Sequence, residues 1–449
     1  MKFDRNRRHI TVQRQNVRGA WVDVGYIMLE EGEKPGGFRY ADDYNGPPLA
    51  PDLDYRAAAA FGGDPRFFGI STANRMHTRA ADRPDLHSVF AESLPGRWGE
   101  TVMASHVPAY ARSSPAEKLW MLGDRLAGGL RFEAGGGTNA EAWIEGERAL
   151  LALRTQVQAF IGKLAQRMRP DALGTSEQRW ALTSNGGQTP KCAFIRDGVE
   201  YIAKFSTTFL GTVETTRIER AMSHISAAAG IDTADATLVE TGDGDAVLLS
   251  RRFDVDEGGH RIHKINGATA LGLPIQVQAD YTDLVDWIRK HSTDPATDTR
   301  ELYARAMLNV FCNNTDDHLG QFEFLSDGDG WRLAPNFDVL VDELAADGSR
   351  RPHAMRLAGD DIMPTIDETW VEEVADAFGI SRTEGGAITA RVVRAMEHFP
   401  DVMRSYGVPE ETIERYVKPA LGVESLRSLR ERLESGASTN VNVHRAEWR

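Results

Sequence analysis

Residues 313–340 read NNTDDHLGQFEFLSDGDGWRLAPNFDVL, and the fold turns on how this stretch is understood. Asp316 and Gln321 stand five positions apart, and Asp338 follows Asp316 by 22. Two short runs of strand type, Phe322 to Leu325 and Trp331 to Leu333, flank Ser-Asp-Gly-Asp-Gly, which is a hairpin signal. Antiparallel strands return the chain to its start, so such a hairpin draws the carboxylates at its two ends together. The pattern predicts a small set of oxygen ligands around one hard cation of the Mg²⁺ kind. The plainer alternative is a loop before a hairpin and nothing more, because Asp and Asn are common turn residues.

The whole chain narrows the choice. It has 449 residues, 41% of them hydrophobic, enough for two or three domains with cores of their own. Charged residues make up 26%, ordinary for a soluble globular protein. Lys and Arg number 52 against 66 Asp and Glu, and the net charge of −14 argues against a non-specific grip on nucleic acid. Cys192 and Cys312 lie far apart with no CxxC spacing. Neither a disulfide framework nor a zinc site is indicated, and a reducing cytoplasm fits. The opening MKFDRNRRHITVQRQ is basic but has no apolar run, unlike a secretory signal. No window approaches the length of apolar sequence that a membrane helix needs.

Outward from the quoted stretch, Glu301 to Phe311 reads as a helix delivering the chain to Asn313, with another helix from Tyr281 before it. After Asp338, amphipathic helices are expected near 369–379, 387–399 and 423–434. At the other end, His9 to Phe38 alternates apolar and polar residues like a small antiparallel sheet. Short helical pieces follow at Leu86 to Ala91 and Ala116 to Gly123. Phe90, Leu94 and Trp98 are four apart, but Pro95 and Gly96 break any helix there, so a buried turn packed by Trp98 is expected, with no function. Glu141 to Arg169 is helical in pattern. The resulting division is 1–135, 136–260 and 261–449.

Trp180 to Phe205 reads as strand, Gly turn, strand, second turn and third strand. Its loop holds Ser184, Asn185, Gly186, Gly187, Gln188 and Thr189. A glycine loop between strands lets backbone N–H groups approach phosphate oxygens, since no Cβ obstructs them. It is not a Walker A sequence, and a plain hairpin turn competes as an explanation. Lys204 interrupts an apolar strand, where a lysine either snorkels from an edge or pairs with a carboxylate. The helix from Glu214 to Ala229 offers Glu219, beside an apolar face of Ile218, Met222 and Ile225. Glycine loop, strand lysine, helix glutamate and then Asp-x-x-x-x-amide is the order of a protein kinase. There the glutamate orients the lysine toward nucleotide phosphates and the loop Asp takes a hydroxyl proton. On that pattern the strand Ala246 to Arg252 runs into an adenine-binding hinge. Phe253 becomes a candidate wall for the purine, with ordinary core packing an equal alternative. His318 is a candidate for proton transfer or, more simply, for holding the Asp316 loop in shape.

These residues carry a family likeness. Phe90-Ala-Glu-Ser-Leu-Pro, Leu130-Arg-Phe, Ser184 to Lys191, Lys204, Arg252-Phe-Asp, Asn314-Thr-Asp-Asp-His-Leu and Leu333-Ala-Pro-Asn-Phe-Asp together resemble the HipA family. Its members are serine/threonine protein kinases, the toxin halves of bacterial toxin–antitoxin pairs. The resemblance extends over most of the chain.

It implies an α+β, protein-kinase-like two-lobed fold: an N-terminal β-rich subdomain plus a small kinase lobe, packed on a mostly helical C-terminal lobe, with ATP between. Asp316 matches the catalytic base, Gln321 and Asp338 the metal positions, Lys204 the nucleotide lysine, Glu219 its partner, and Ser184 to Thr189 the phosphate loop. Ser184 matches a serine whose autophosphorylation ejects that loop. The implied partners are a helix-turn-helix antitoxin that binds operator DNA and a protein substrate, for which an aminoacyl-tRNA synthetase is a known family example. The chain departs from the family in having Gln321 where the metal-binding amide is Asn, and Arg251 where the hinge often has an acid. The expectation is therefore an ATP- and Mg²⁺-dependent serine/threonine kinase. Two rivals stand beside it: a degenerate kinase that binds an antitoxin without turnover, and a small-molecule kinase on the same fold.

Overall fold

The computed structural model describes residues 9–16, 18–29, 35–59, 63–70, 86–123, 128–133, 143–168, 173–183, 186–206, 215–275, 277–326, 328–344, 350–357, 366–417 and 423–435. Three sheets organise them. The first runs in the order β4-β3-β2-β1-β5, all antiparallel, from β1 (His9–Gln15), β2 (Trp21–Leu29), β3 (Pro35–Tyr40), β4 (Phe67–Gly69) and β5 (Leu130–Glu133). Ile10, Val12, Ile27 and Phe38 are buried as the sequence alternation requires, and Val24 is buried at the register shift opposite Val12 and Gln13.

The second sheet belongs to the small lobe. It is ordered β6-β7-β8-β10-β9, from β6 (Ile144–Glu145), β7 (Lys191–Arg196), β8 (Val199–Phe205), β9 (Ala236–Glu240) and β10 (Ala246–Arg251). β7 and β8 join through Asp197 and Gly198, both at positive φ (53° and 76°), the Asp-Gly turn that suits a two-residue hairpin. The Glu147–Ala165 helix packs on this sheet through Leu150, Leu153, Val157 and Phe160. The Thr215–Ala228 helix buries Ile218, Met222 and Ile225 in the larger core that runs through the rest of the molecule.

The small-lobe core is not closed by its own segment. Trp98 and Val102, from the Arg97–His106 helix, lie inside it with Leu153, Phe194, Ala203 and Leu249. Residues 97–106 thus complete the second lobe while standing in the stretch that the sequence assigns to the first. A second departure lies at Trp180. In place of the expected strand, Ser176–Ala181 is a helix with a capping box between Thr175 and Gln178. A short apolar run does not distinguish strand from helix, and the cap decides it.

The large lobe is helical apart from the third sheet, β11 (Lys264–Asn266), β12 (Glu323–Ser326) and β13 (Trp331–Leu333), where β12 and β13 form the expected hairpin. Asp280 starts the Tyr281–His291 helix with a capping box, and Arg289, Lys290 and His291 close it beside the negative end of its dipole. The Pro295–Cys312 helix is buried on nearly every side along its second half, from Leu302 to Cys312. It stops at Asn313, which takes a left-handed φ of 57° and hands the chain to the Asp316 loop.

Candidate active site

Two parts of the chain meet at Lys204. One is the β7–β8 sheet with its glycine loop, and the other is the loop from Asn313 to Gln321 with the Asn336–Asp338 segment. Lys204 joins them. Its ammonium donates to Glu219 Oε1 at 2.5 Å and to Asp338 Oδ1 at 2.7 Å, with only 6% of the residue exposed. Burial works against the charge, but the Asp338 and Glu219 carboxylates outweigh it and raise the lysine above its usual range. Asp338 answers in kind. Burial opposes its ionisation, while Lys204, Lys191 and a hydrogen bond from Gln321 hold the carboxyl well below normal. The backbone at Asp338 is left-handed (φ 58°), a strained setting for a non-glycine residue that places this carboxylate against Lys204.

The Asp316 loop is tied down by its own lobe. Asn314 donates to Asn309 Oδ1 at 3.0 Å, and Asp342 accepts the Thr315 amide at 2.8 Å and the Thr315 hydroxyl. Asp317 is 1% exposed and receives Tyr281 Oη at 2.7 Å, His353 Nδ1 at 3.3 Å and the Ala354 amide at 3.0 Å. Its neighbour Asp316 has no such work. The Asp316 side chain is 76% exposed, near enough to Asp338 to feel its charge. The flanking walls take enough water from it to raise its carboxyl, His318 opposes this, and the Asp342, Asp338 and Asp317 carboxylates add to it. An acceptor with a raised pKa in reach of solvent and substrate suits a proton-accepting role. His318 Nδ1 accepts the Gly320 amide at 3.0 Å, capping the Leu319–Gln321 turn, and its Nε2 stands 4.0 Å from Asp316.

The glycine loop is held from outside. The Trp98 indole donates to the Lys191 carbonyl at 3.2 Å across 93 positions of sequence, and the Trp98 amide approaches the Gly187 carbonyl at 3.4 Å. A Cβ on Gly96 would lie 2.2 Å from the Gly187 amide nitrogen, so only glycine permits this approach. Gly187 itself has φ 91°. Gly186, Gly187 and Gln188 are exposed and Thr189 half-buried, while Ser184 and Asn185 lie outside the described residues. Phe253 packs on Phe337, next to Asp338, with ring centroids 5.4 Å apart. It stands beside the cleft, half-buried, rather than deep in the core.

The donor set suits a metal–nucleotide pair better than a metal held by protein alone. Among the described residues no group of three or more His, Cys, Asp or Glu side chains is gathered as a metal cluster. Asp338 and the Gln321 amide supply oxygens, and Mg²⁺ ordinarily completes its shell with phosphate and water. Gln321 sits in the turn that His318 caps and reaches Asp338 by hydrogen bond. Lys191 is a cationic residue that the sequence left without a role. It is 6% exposed, and among the described residues its ammonium has no hydrogen bond or ion pair. Asp317, Asp342 and the Gly96–Trp98 contact were also not foreseen. Adjacent aspartates look alike in sequence, and the groups that bury Asp317 come from positions 281 and 353.

Residues 183–399 match the family model of the HipA-like C-terminal domain. Over 136 residues the chain is 31% identical to Y4mE of Sinorhizobium fredii, which carries the name of a kinase. That match takes in 28% of this chain, and the chain spans about a third (32%) of the length of this curated relative. Among solved structures, a chain of the Shewanella oneidensis MR-1 toxin–antitoxin complex of HipA, HipB and operator DNA superposes with a TM-score of 0.66 at 16% identity. The superposition covers 96% of this chain and 100% of that one, and the likeness is one of fold.

Proposed function

We propose, from the premise that the HipA-like C-terminal domain at residues 183–399 places this chain in the HipA family, that it is an ATP- and Mg²⁺-dependent serine/threonine protein kinase of toxin–antitoxin type. One observation carries the reading: Lys204 is clasped between Glu219 and Asp338, and Asp316 stands within reach of the Asp338 charge as an exposed, unburdened carboxylate. ATP with Mg²⁺, when bound, supplies the phosphoryl group and the cation that offsets its charge. Lys204 binds phosphate oxygens and Glu219 fixes its direction. Asp338 and Gln321 would hold the metal, and the backbone N–H groups of Gly186 to Thr189 would meet the phosphates. Asp316 accepts the proton of the substrate hydroxyl, and His318 keeps the loop below it in shape. Phe253 borders the purine. The acceptor is a cellular protein whose modification arrests growth. Phosphate on Ser184 of the same chain is the off switch, and a helix-turn-helix antitoxin is the partner that brings the chain to DNA.

Incubation with radiolabelled ATP, alone and with a cell extract, tests this. Label on an extract protein and on the 182–190 peptide is the expected result. A second reading, an antitoxin binder without turnover, draws on Gln321, whose longer side chain is already engaged with Asp338. Absence of label from both samples, with nucleotide still bound, favours that reading. If Gln321 slows the metal step, Gln321→Asn raises turnover or lowers the Mg²⁺ requirement by a few fold, and unchanged kinetics remove the amide from the ligand set.

A further inference from the structure

Glu219 reaches Lys204 from the Thr215–Ala228 helix, so the pair depends on how that helix is seated. At about 3.6 residues per turn, positions 217, 220 and 224 share one stripe of it, and Glu219 projects from the other side. All three residues of the stripe grip Tyr406, which follows the Phe399–Ser405 helix of the large lobe. Arg217 Nη1 donates to the Tyr406 carbonyl at 2.9 Å, the Arg220 guanidinium lies 4.7 Å from the Tyr406 ring centroid, and His224 Nδ1 is 3.2 Å from Tyr406 Oη. Arg217 does more than the other two. Its Nη2 donates to Glu240 Oε2 at 2.6 Å, at the end of β9, and to the Gly244 carbonyl at 3.2 Å in the turn that follows. Its Nη1 also meets Glu240 Oε1 at 3.1 Å. One planar fork thus ties the helix to the small lobe and to the large lobe at once, which the point charge of a lysine does not do. The guanidinium is nearly enclosed, and a Cβ on Gly407 would lie 3.3 Å from Nη1. Farther along, the helix is tied by Asn336 to Ser226 and by Arg391 to the Ala229 carbonyl. A pocket of about 350 Å³ opens on the Tyr406 side, among His224, Ala228, His398 and Val402. The helix therefore has space to shift once the grip is lost.

We propose that Arg217 is a positioning residue for phosphoryl transfer, which holds the Thr215–Ala228 helix at the depth and turn at which Glu219 meets Lys204. The assignment rests on the reading of Lys204 and Glu219 as the pair that orients a nucleotide's phosphates, and it names what keeps that pair together. The ammonium and the carboxylate stand at 2.5 Å. A helix shift of about 1 Å is enough to part them, and misplacements of that size cost catalysis heavily. Lys204 then turns to Asp338 alone, away from the phosphates. With one carboxylate fewer to oppose its burial, its ammonium gives up a proton more readily.

Arg217→Met keeps most of the stem and removes the fork, and two measurements on the full chain test it. The first is the rate of label transfer from ATP at saturating nucleotide, in wild type, Arg217→Met, Glu219→Gln and the double variant. Arg217→Met is expected to slow transfer about ten- to a hundredfold. The double variant is expected to be no more than about threefold slower than Glu219→Gln, because both changes act through one contact. The second measurement needs no activity: limited acetylation of lysines, read by mass spectrometry. With Glu219 withdrawn, acetylation of Lys204 rises at least about threefold. Lys264, buried against Glu323 in the third sheet, stays at its wild-type level. Arg217→Lys keeps a charge against Glu240 without the fork; it moves both readouts the same way by a smaller factor, and stands in where Arg217→Met does not fold. An arginine that only stabilises the fold gives another pattern: losses that multiply in the double variant, with Lys204 and Lys264 acetylated faster together. That pattern, or wild-type transfer and acetylation in a folded Arg217→Met, overturns the proposal. Absence of transfer in the wild type removes the kinase reading, and the acetylation pattern then decides by itself whether Arg217 places Glu219.

Discussion

The Asp316 loop and the glycine loop are stabilised in different ways. The Asp316 loop is held by residues of its own lobe: Asn309, Tyr281, Asp342 and His353 reach Asn314, Asp317 and Thr315 within one continuous core. The glycine loop is held by Gly96 and Trp98, some ninety positions upstream. The Asp316 loop is thus positioned by the lobe that owns it, while the glycine loop takes its shape from a segment outside residues 183–399, the stretch that matches the model of the HipA-like C-terminal domain. Changes near the N-terminal turn should therefore act on nucleotide binding, and changes around the Asp316 loop on the transfer step.

The largest effect that tests this division is Asp316→Asn. Phosphate transfer falls by about a thousandfold with the melting temperature and ATP affinity near wild type, because the side chain is mostly exposed. An equal loss of affinity in a binding titration would erase the contrast between the loops. Next comes Trp98→Ala, which empties a 5%-exposed site in the small-lobe core and removes the indole bond to Lys191. Urea unfolding should show a loss of about 3–5 kcal/mol, with weaker ATP binding in whatever remains folded. Gly96→Ala is milder. Its Cβ would press on the Gly187 backbone, costing about 1–3 kcal/mol and raising Kd for ATP while the turnover of bound ATP holds steady.

A further effect, read as a slope in pH, concerns Glu92, which anchors the N-terminal subdomain to the large lobe by accepting the Asn266 amide at 3.1 Å and the Thr269 hydroxyl at 2.8 Å. Burial pushes its carboxyl up to about 8 from 4.5. Between those values the folded protein holds a proton that the unfolded chain has released, so stability falls as pH rises, by at most about 1.4 kcal/mol per unit. The slope vanishes above about 8, once both states are ionised. Glu92→Gln should flatten this dependence in denaturation curves taken from pH 5 to 8. A curve parallel to wild type would show that the anchor does not titrate there.

Much of the site was legible because its signals are local. Lys204 breaks an apolar strand, Glu219 borders a helix face of Ile218, Met222 and Ile225, and the Asp338 hairpin carries its own turn residues. The pairing of Lys204 with Glu219 and Asp338 follows that pattern. What escaped was non-local. Which of Asp316 and Asp317 is buried depends on Tyr281 and His353, and neither adjoins them in sequence. The helix at Ser176–Ala181 hid behind an apolar run, and the Gly96–Gly187 approach leaves no mark in either segment beyond a glycine. That Lys191 stands opposite Lys204 is set by the pairing of β7 with β8 and by nothing in the residues around it.

The indole of Trp98 has a consequence for how this protein can be taken apart or recombined. A gene fragment that begins at residue 183 would encode a sheet with a hole in its hydrophobic interior and a glycine loop without the Trp98 indole that pins it. The N-terminal segment is therefore not an appendage to a portable downstream half. Any shuffling that carries the downstream half into a new host protein must bring the tryptophan turn with it, or replace it with a wedge of the same shape.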